Sequence, residues 1–159
     1  MGDLVPTVSV LSSAAVALGS AVLAAVTTGK RERTQTKRDR ENELRSIADH
    51  AATNLSYVIY LLKMGWDHPR DQKGLEKLGD VIGQISNSED RLAIRLGNEA
   101  DQVVPYRTAV THARAAQQLI KQGAGAADRA AFDDHLNRVA DGKSDFRKQM
   151  SKRLSPDAT

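Results

Sequence analysis

Residues 43–63 read ELRSIADHAATNLSYVIYLLK, and this stretch decides the fold. Its apolar residues Leu44, Ile47, Ala51, Leu55, Val58 and Leu62 recur every three or four positions, the period of one helical face. Glu41, Arg45, Asn54 and Lys63 fall on the opposite side. Neither Pro nor Gly occurs between Lys30 and Met64, so the pattern permits the preceding segment to run into this helix unbroken. Gly65, Asp67 and Pro69 then supply a stop.

Three further patterns of the same period follow. Leu75, Leu78, Ile82, Ile85, Leu92 and Leu96 form the second. Within it, Ser86-Asn87-Ser88 before Glu89-Asp90 either ends one helix and caps another or is a polar break inside a single helix. Gly74, Gly79 and Gly83 each weaken a helix by about 1 kcal/mol relative to Ala, and close packing against a neighbour would account for them. The third pattern spans Glu99–Gln122 with Val103, Tyr106, Val110, Ala113, Ala116 and Ile120, and Pro105 suits its first turn. Gly123-Ala124-Gly125 ends it. The fourth starts near Asp128, carries Phe132, Leu136, Val139, Phe146, Met150 and Leu154, and closes at Ser155-Pro156. No segment alternates with period two. Four amphipathic helices joined by short loops predict an all-α, up-down bundle, although the heptad-like steps also permit a coiled-coil oligomer.

On the N-terminal side the character changes abruptly. Residues 4–29 contain no charge, and the window Val8–Val26 has a mean hydropathy of roughly 2.1, enough to propose a membrane-spanning helix. Twenty-odd helical residues at about 1.5 Å each reach roughly 30–35 Å, the thickness of the hydrocarbon layer. A cleaved signal peptide fits less well. Met1–Thr7 carries only Asp3, and no small-x-small cleavage site follows the apolar stretch.

Lys30, Arg31, Arg33, Lys37, Arg38 and Arg40 come next, against Glu32 and Asp39, a net of +4 in eleven residues. Asp3 contributes −1, so residues 41–159 balance to zero within the total of +3. A nucleic-acid-binding domain would carry its basic excess on its folded surface, so nucleic acid is not an expected partner. The six cations are instead expected to rest on anionic headgroups and, by the positive-inside rule, to hold the C-terminal domain in the cytoplasm with the N-terminus outside. Ser13, Ala17, Ala21, Ala25 and Gly29 place a small residue at every fourth position of the apolar segment, a ridge suited to helix association in lipid. The expected organisation is an anchor at 1–29, a basic juxtamembrane segment at 30–40, a helical bundle at 41–155 and a tail at 156–159.

Chemistry is sparse. The chain has no cysteine, which excludes disulfides, thiolate metal sites and cysteine nucleophiles. His50, His112 and His135 fall in different helices, but the Glu-x-x-His spacing of di-iron bundles is absent. Asp49-His50 and Asp133-Asp134-His135 place carboxylates beside imidazoles, yet neighbouring helical residues point about 100° apart. The four histidines, including His68, are therefore read as surface or helix-boundary residues, with no metal, cofactor or catalytic residue expected. No Gly-x-Ser-x-Gly elbow or phosphate-binding glycine loop occurs. Trp66, the single tryptophan, is read first as a lid over one end of the bundle and second as an exposed anchor for a partner.

The apolar Ala/Val/Ser segment, then Lys30-Arg31-Glu32-Arg33, then an Arg- and Ala-rich helical domain resembles single-pass membrane proteins of unassigned function from high-GC bacteria and their phages. The resemblance is one of layout over the whole chain and implies a bacterial inner-membrane setting. The expected function is a non-enzymatic interaction module on the cytoplasmic membrane face, with an unidentified protein partner or a second copy of itself. Two alternatives are an exported or surface-tethered helical protein, and a phage-related membrane factor of the exclusion or holin-like kind.

Overall fold

The computed structural model of the chain describes the backbone of residues 7–155 and the side chains of residues 33–155. Four α-helices follow one another: α1 Thr7–Asp67, α2 Gln72–Leu96, α3 Val103–Lys121 and α4 Arg129–Leu154, with a 3-10 turn at Ala126–Asp128 before α4. No strand occurs among the described residues. The chain divides into two compact units, Met1–Asn42 and Glu43–Thr159.

In the first unit Arg33, Lys37, Arg38 and Arg40 are exposed, and Lys37 pairs with Glu41 at 3.8 Å. The side chains expected to span a membrane, those of residues 4–29, lie outside the described residues, as do those of Lys30 and Arg31 and the tail at 156–159. Among the described residues no helix is long and apolar enough to cross a membrane.

The second unit is an antiparallel four-helix bundle. Its first helix is the part of α1 that follows Asn42. Along this segment Ile47, Ala51, Leu55, Val58 and Leu62 are all buried, as the three-and-four spacing requires. Leu78, Ile82, Ile85 and Leu92 of α2, Val103, Tyr106, Val110, Ala113, Ala116 and Ile120 of α3, and Phe132, Leu136, Val139, Phe146 and Met150 of α4 complete one core. Cross-helix contacts show the direction of each neighbour. Glu43 pairs with Arg95 while Gly65 lies against Leu75, so α1 and α2 run antiparallel. Glu89 with Arg107 and Gly79 near Gln117 do the same for α2 and α3. Lys143 with Ser56 and Trp66 with Phe132 close the ring between α4 and α1.

Helix ends follow local chemistry. After α3, Gly123 takes φ +70, and the amide of Ala124 donates to the Leu119 carbonyl while that of Gly123 donates to Ile120. This is a Schellman stop, in which glycine carries the left-handed turn without a Cβ clash. Gly97 ends α2 differently: its amide still donates to the Ala93 carbonyl in the helical pattern, and its φ of +94 with ψ 148 then turns the chain away.

One open choice is settled and three expectations change. First, α2 runs through Ser86-Asn87-Ser88 as a single helix, the second of the two readings the sequence allowed. Its serine hydroxyls satisfy themselves by donating back to the carbonyls of Ile82 and Gln84, at 2.8 and 3.0 Å. Second, α3 begins at Val103 rather than Glu99, because residues 98–102 form the turn that follows Gly97. Third, Asn54 is buried rather than on the polar face of α1. It sits three residues after Ala51, at the edge of the apolar stripe, and its amide donates to His50 Nε2 at 3.1 Å. Fourth, the glycines of α2 do not mark a close approach. A Cβ at Gly83 would meet nothing within 4 Å, one at Gly79 only the Gln117 amide at 3.7 Å, and one at Gly74 only the neighbouring Asp71 side chain.

Candidate functional site

The tight contact in the bundle lies between α3 and α4. Gly142 is buried there, and a Cβ on it would sit 2.7 Å from the Pro105 carbonyl and 3.0 Å from Ala109 Cβ. Only a residue without a side chain lets the backbones come so near. Below the crossing, Phe146 packs its ring against Tyr106 at 4.9 Å between centroids, and both are fully buried. The Tyr106 hydroxyl lies beside Ser88 without a protein hydrogen-bond partner, and burial pushes the phenol well above its ordinary pKa.

The same register aligns two histidines. Seven residues on from Pro105 along α3 is His112, and seven back from Gly142 along α4 is His135. Seven residues are about two helical turns, so both remain on the shared seam. Their Nδ1 atoms are 3.0 Å apart and their ring centroids 5.2 Å. Both rings are half-buried. Burial, then the His135 ring and the Arg138 guanidinium, lower His112 below the ordinary imidazole pKa, while Asp134 pulls the other way. Separate helices supply the two rings, so no local motif foretold their meeting. His50 is exposed and bonded to Asn54, and His68 lies exposed in the turn between α1 and α2.

At the opposite end of the seam, Trp66 is half-buried with its indole stacked on Phe132, 4.3 Å between centroids and 25° between planes. Arg129 lies over both rings, 5.7 Å from Trp66 and 5.9 Å from Phe132. Its guanidinium also reaches Asp133 at 3.0 Å and Asp67 at 3.8 Å. The indole therefore covers the end of the core, with a cation clasped over it.

Two surface features complete the inventory. Tyr57, Tyr60 and Met64 follow one another at helical spacing on α1; the two tyrosine rings stack at 6.2 Å, and Lys77 lies 5.3 Å from the Tyr57 ring. Tyr60 and Met64 are 56% and 40% exposed, unusual for residues of that size. Between α1 and α4 a groove of about 360 Å³ has Ala48, Ala52, Phe146 and Met150 along its length, together with Arg45, Asp49 and Arg147. Among the described residues no group of three metal-ligating side chains comes together. The helix-association ridge Ser13, Ala17, Ala21, Ala25 and Gly29 lies among side chains outside the described residues.

Compared with known protein families, curated proteins and solved structures, the chain matches none.

Proposed function

We propose that this chain is a membrane-anchored, non-enzymatic interaction module: residues 4–29 cross the bilayer once with the N-terminus outside, and the bundle works in the cytoplasm against a partner protein. The observation that carries the reading is the charge pattern. An uncharged segment long enough to span is followed by six cations in eleven residues, and then by a domain of zero net charge. Lys30, Arg31, Arg33, Lys37, Arg38 and Arg40 rest on anionic headgroups, each cation adding up to about 1 kcal/mol near the surface. Tyr60 and Met64, with the half-buried Tyr57 stacked beside Tyr60, are the surface best suited to a protein contact, since Tyr and Met are enriched at interfaces and these two lie exposed on one helix.

The absence of cysteine makes the test clean. Ser144 is exposed on α4, so Ser144→Cys introduces a single accessible thiol. Intact cells are treated with a membrane-impermeant maleimide, and labelling is repeated after lysis. The expected result is protection in intact cells, labelling after lysis, and full-length protein in the membrane fraction. Labelling of intact cells would replace this reading with that of an exported, tethered helical protein. Recovery in the soluble fraction would remove the anchor altogether.

A further inference from the structure

His112 and His135 meet head-on, with their Nδ1 atoms 3.0 Å apart, a hydrogen-bond distance. Two nitrogens so placed share one proton: between neutral rings, one Nδ1–H donates and the other Nδ1 accepts with its lone pair. We propose that the pair is an acid-operated latch, which fastens α3 to α4 while one proton lies between the two Nδ1 atoms and releases them when a second proton arrives there.

The two protonations of the pair differ in kind. In the neutral state the donating ring has its free lone pair on Nε2, and the accepting ring carries its own proton on Nε2. The first added proton goes to that free lone pair. The inter-ring bond survives it and becomes charge-assisted, donated now by an imidazolium. A second proton can go only to the accepting Nδ1. That breaks the bond and sets two N–H donors, on two cations, face to face across 3.0 Å.

The neighbours reinforce the asymmetry. From α4, His112 faces the His135 ring, the Arg138 guanidinium and the Asp134 carboxylate. Asp134 lies 3.8 Å from Arg138, so the doubly charged pair brings two cations to a guanidinium against a single carboxylate. The other charges flanking His112 on α3 turn to α2, Arg107 to Glu89 and Arg114 to Ser86. On α4, Arg129 and Asp133 engage each other. Burial, then the His135 ring and Arg138, hold His112 below the ordinary imidazole pKa. The latch is therefore closed above about pH 6.5 and opens as the pH falls through the depressed value. Opening is local. The Gly142–Pro105 approach and the Phe146–Tyr106 contact still join the helices further along the seam, whereas parting the rings wets the core at the adjoining Ala113 and Leu136. The latch does not depend on which membrane face the bundle occupies.

The test uses full-length protein in detergent micelles, with nitrogen-15 in its histidines, followed by NMR from neutral to acid pH. The expected result is that the ring nitrogens of His112 and His135 change in two shared steps about one pH unit or more apart, while His50 and His68 each titrate in one. Through the second step, amide exchange around Ala113 and Leu136, corrected for its intrinsic pH dependence, should quicken about tenfold, the equivalent of one pH unit. His135→Gln should abolish that acceleration, and Arg138→Gln should move the second step to higher pH. A single common step for the two rings, or acid-quickened exchange that persists in His135→Gln, would overturn the proposal. The step count is read on the unsubstituted chain and decides the matter even if a variant folds poorly.

Discussion

The seam between α3 and α4 and the outer face of α2 both carry glycine, in surroundings of opposite character. Gly142 faces a backbone carbonyl that a Cβ would meet at 2.7 Å, whereas Gly83 faces open space. The first glycine brings two helices together; the second makes no contact and only loosens its own helix. A glycine in a helix thus marks a close approach only when a neighbour's backbone occupies the space its side chain would need. Sequence spacing does not reveal that. The consequence reaches along the seam, because the register set at Gly142 is also the one in which His112 meets His135.

The comparison can be broken most forcefully at the seam itself. Phe146 is fully buried against Tyr106, and Phe146→Ala should cost about 3–5 kcal/mol in urea unfolding through lost burial and the cavity left behind. Gly142→Ala should cost about 1–3 kcal/mol by overpacking, since the facing neighbour is the Pro105 backbone and cannot swing aside. It should also part the two histidines, lengthening the contact between their Nδ1 atoms in a structure of the variant. On α2 the sign should reverse, with Gly83→Ala stabilising the protein by about 0.5–1 kcal/mol in the same assay. Equal destabilisation by the two glycine variants would show that the seam is not specially close.

The smallest effect is expected from pH. The folded-state pKa of His112 is lowered, so the unfolded chain binds its proton more readily. Stability from this group is therefore fully present above the ordinary imidazole pKa of about 6.5, and is lost as pH falls from there through the depressed folded value. The melting temperature should drop between neutral and mildly acidic pH, and His112→Gln should flatten that drop. An unchanged slope in the variant would remove His112 as the cause.

Much of the bundle was legible in the sequence. The core positions of all four stripes follow from spacing alone, because the three-and-four rhythm of apolar residues leaves a helix one face to bury. Gly123-Ala124-Gly125 was legible as a stop because glycine readily takes the left-handed backbone that ends a helix, whereas the stop at Gly97 went unread. The Ser86-Asn87-Ser88 stretch was ambiguous because serine can cap a helix or donate back within one, and only the continuing helix shows which it does. Asn54 was misplaced because a stripe has width, and a residue at its margin is buried or exposed according to the neighbour that covers it.

The sequence by itself determined the class of the second unit, the stripes that form most of its core and the position of the charge, all of which depend on the order of residues along one chain. Only the tertiary structure decided that Trp66 lies on Phe132, that Gly142 is the close-approach glycine, and that His112 meets His135. Those pairings join residues on different helices. They are set by interhelical register and distance, quantities that arise from packing two surfaces together and have no counterpart in the periodicity of either.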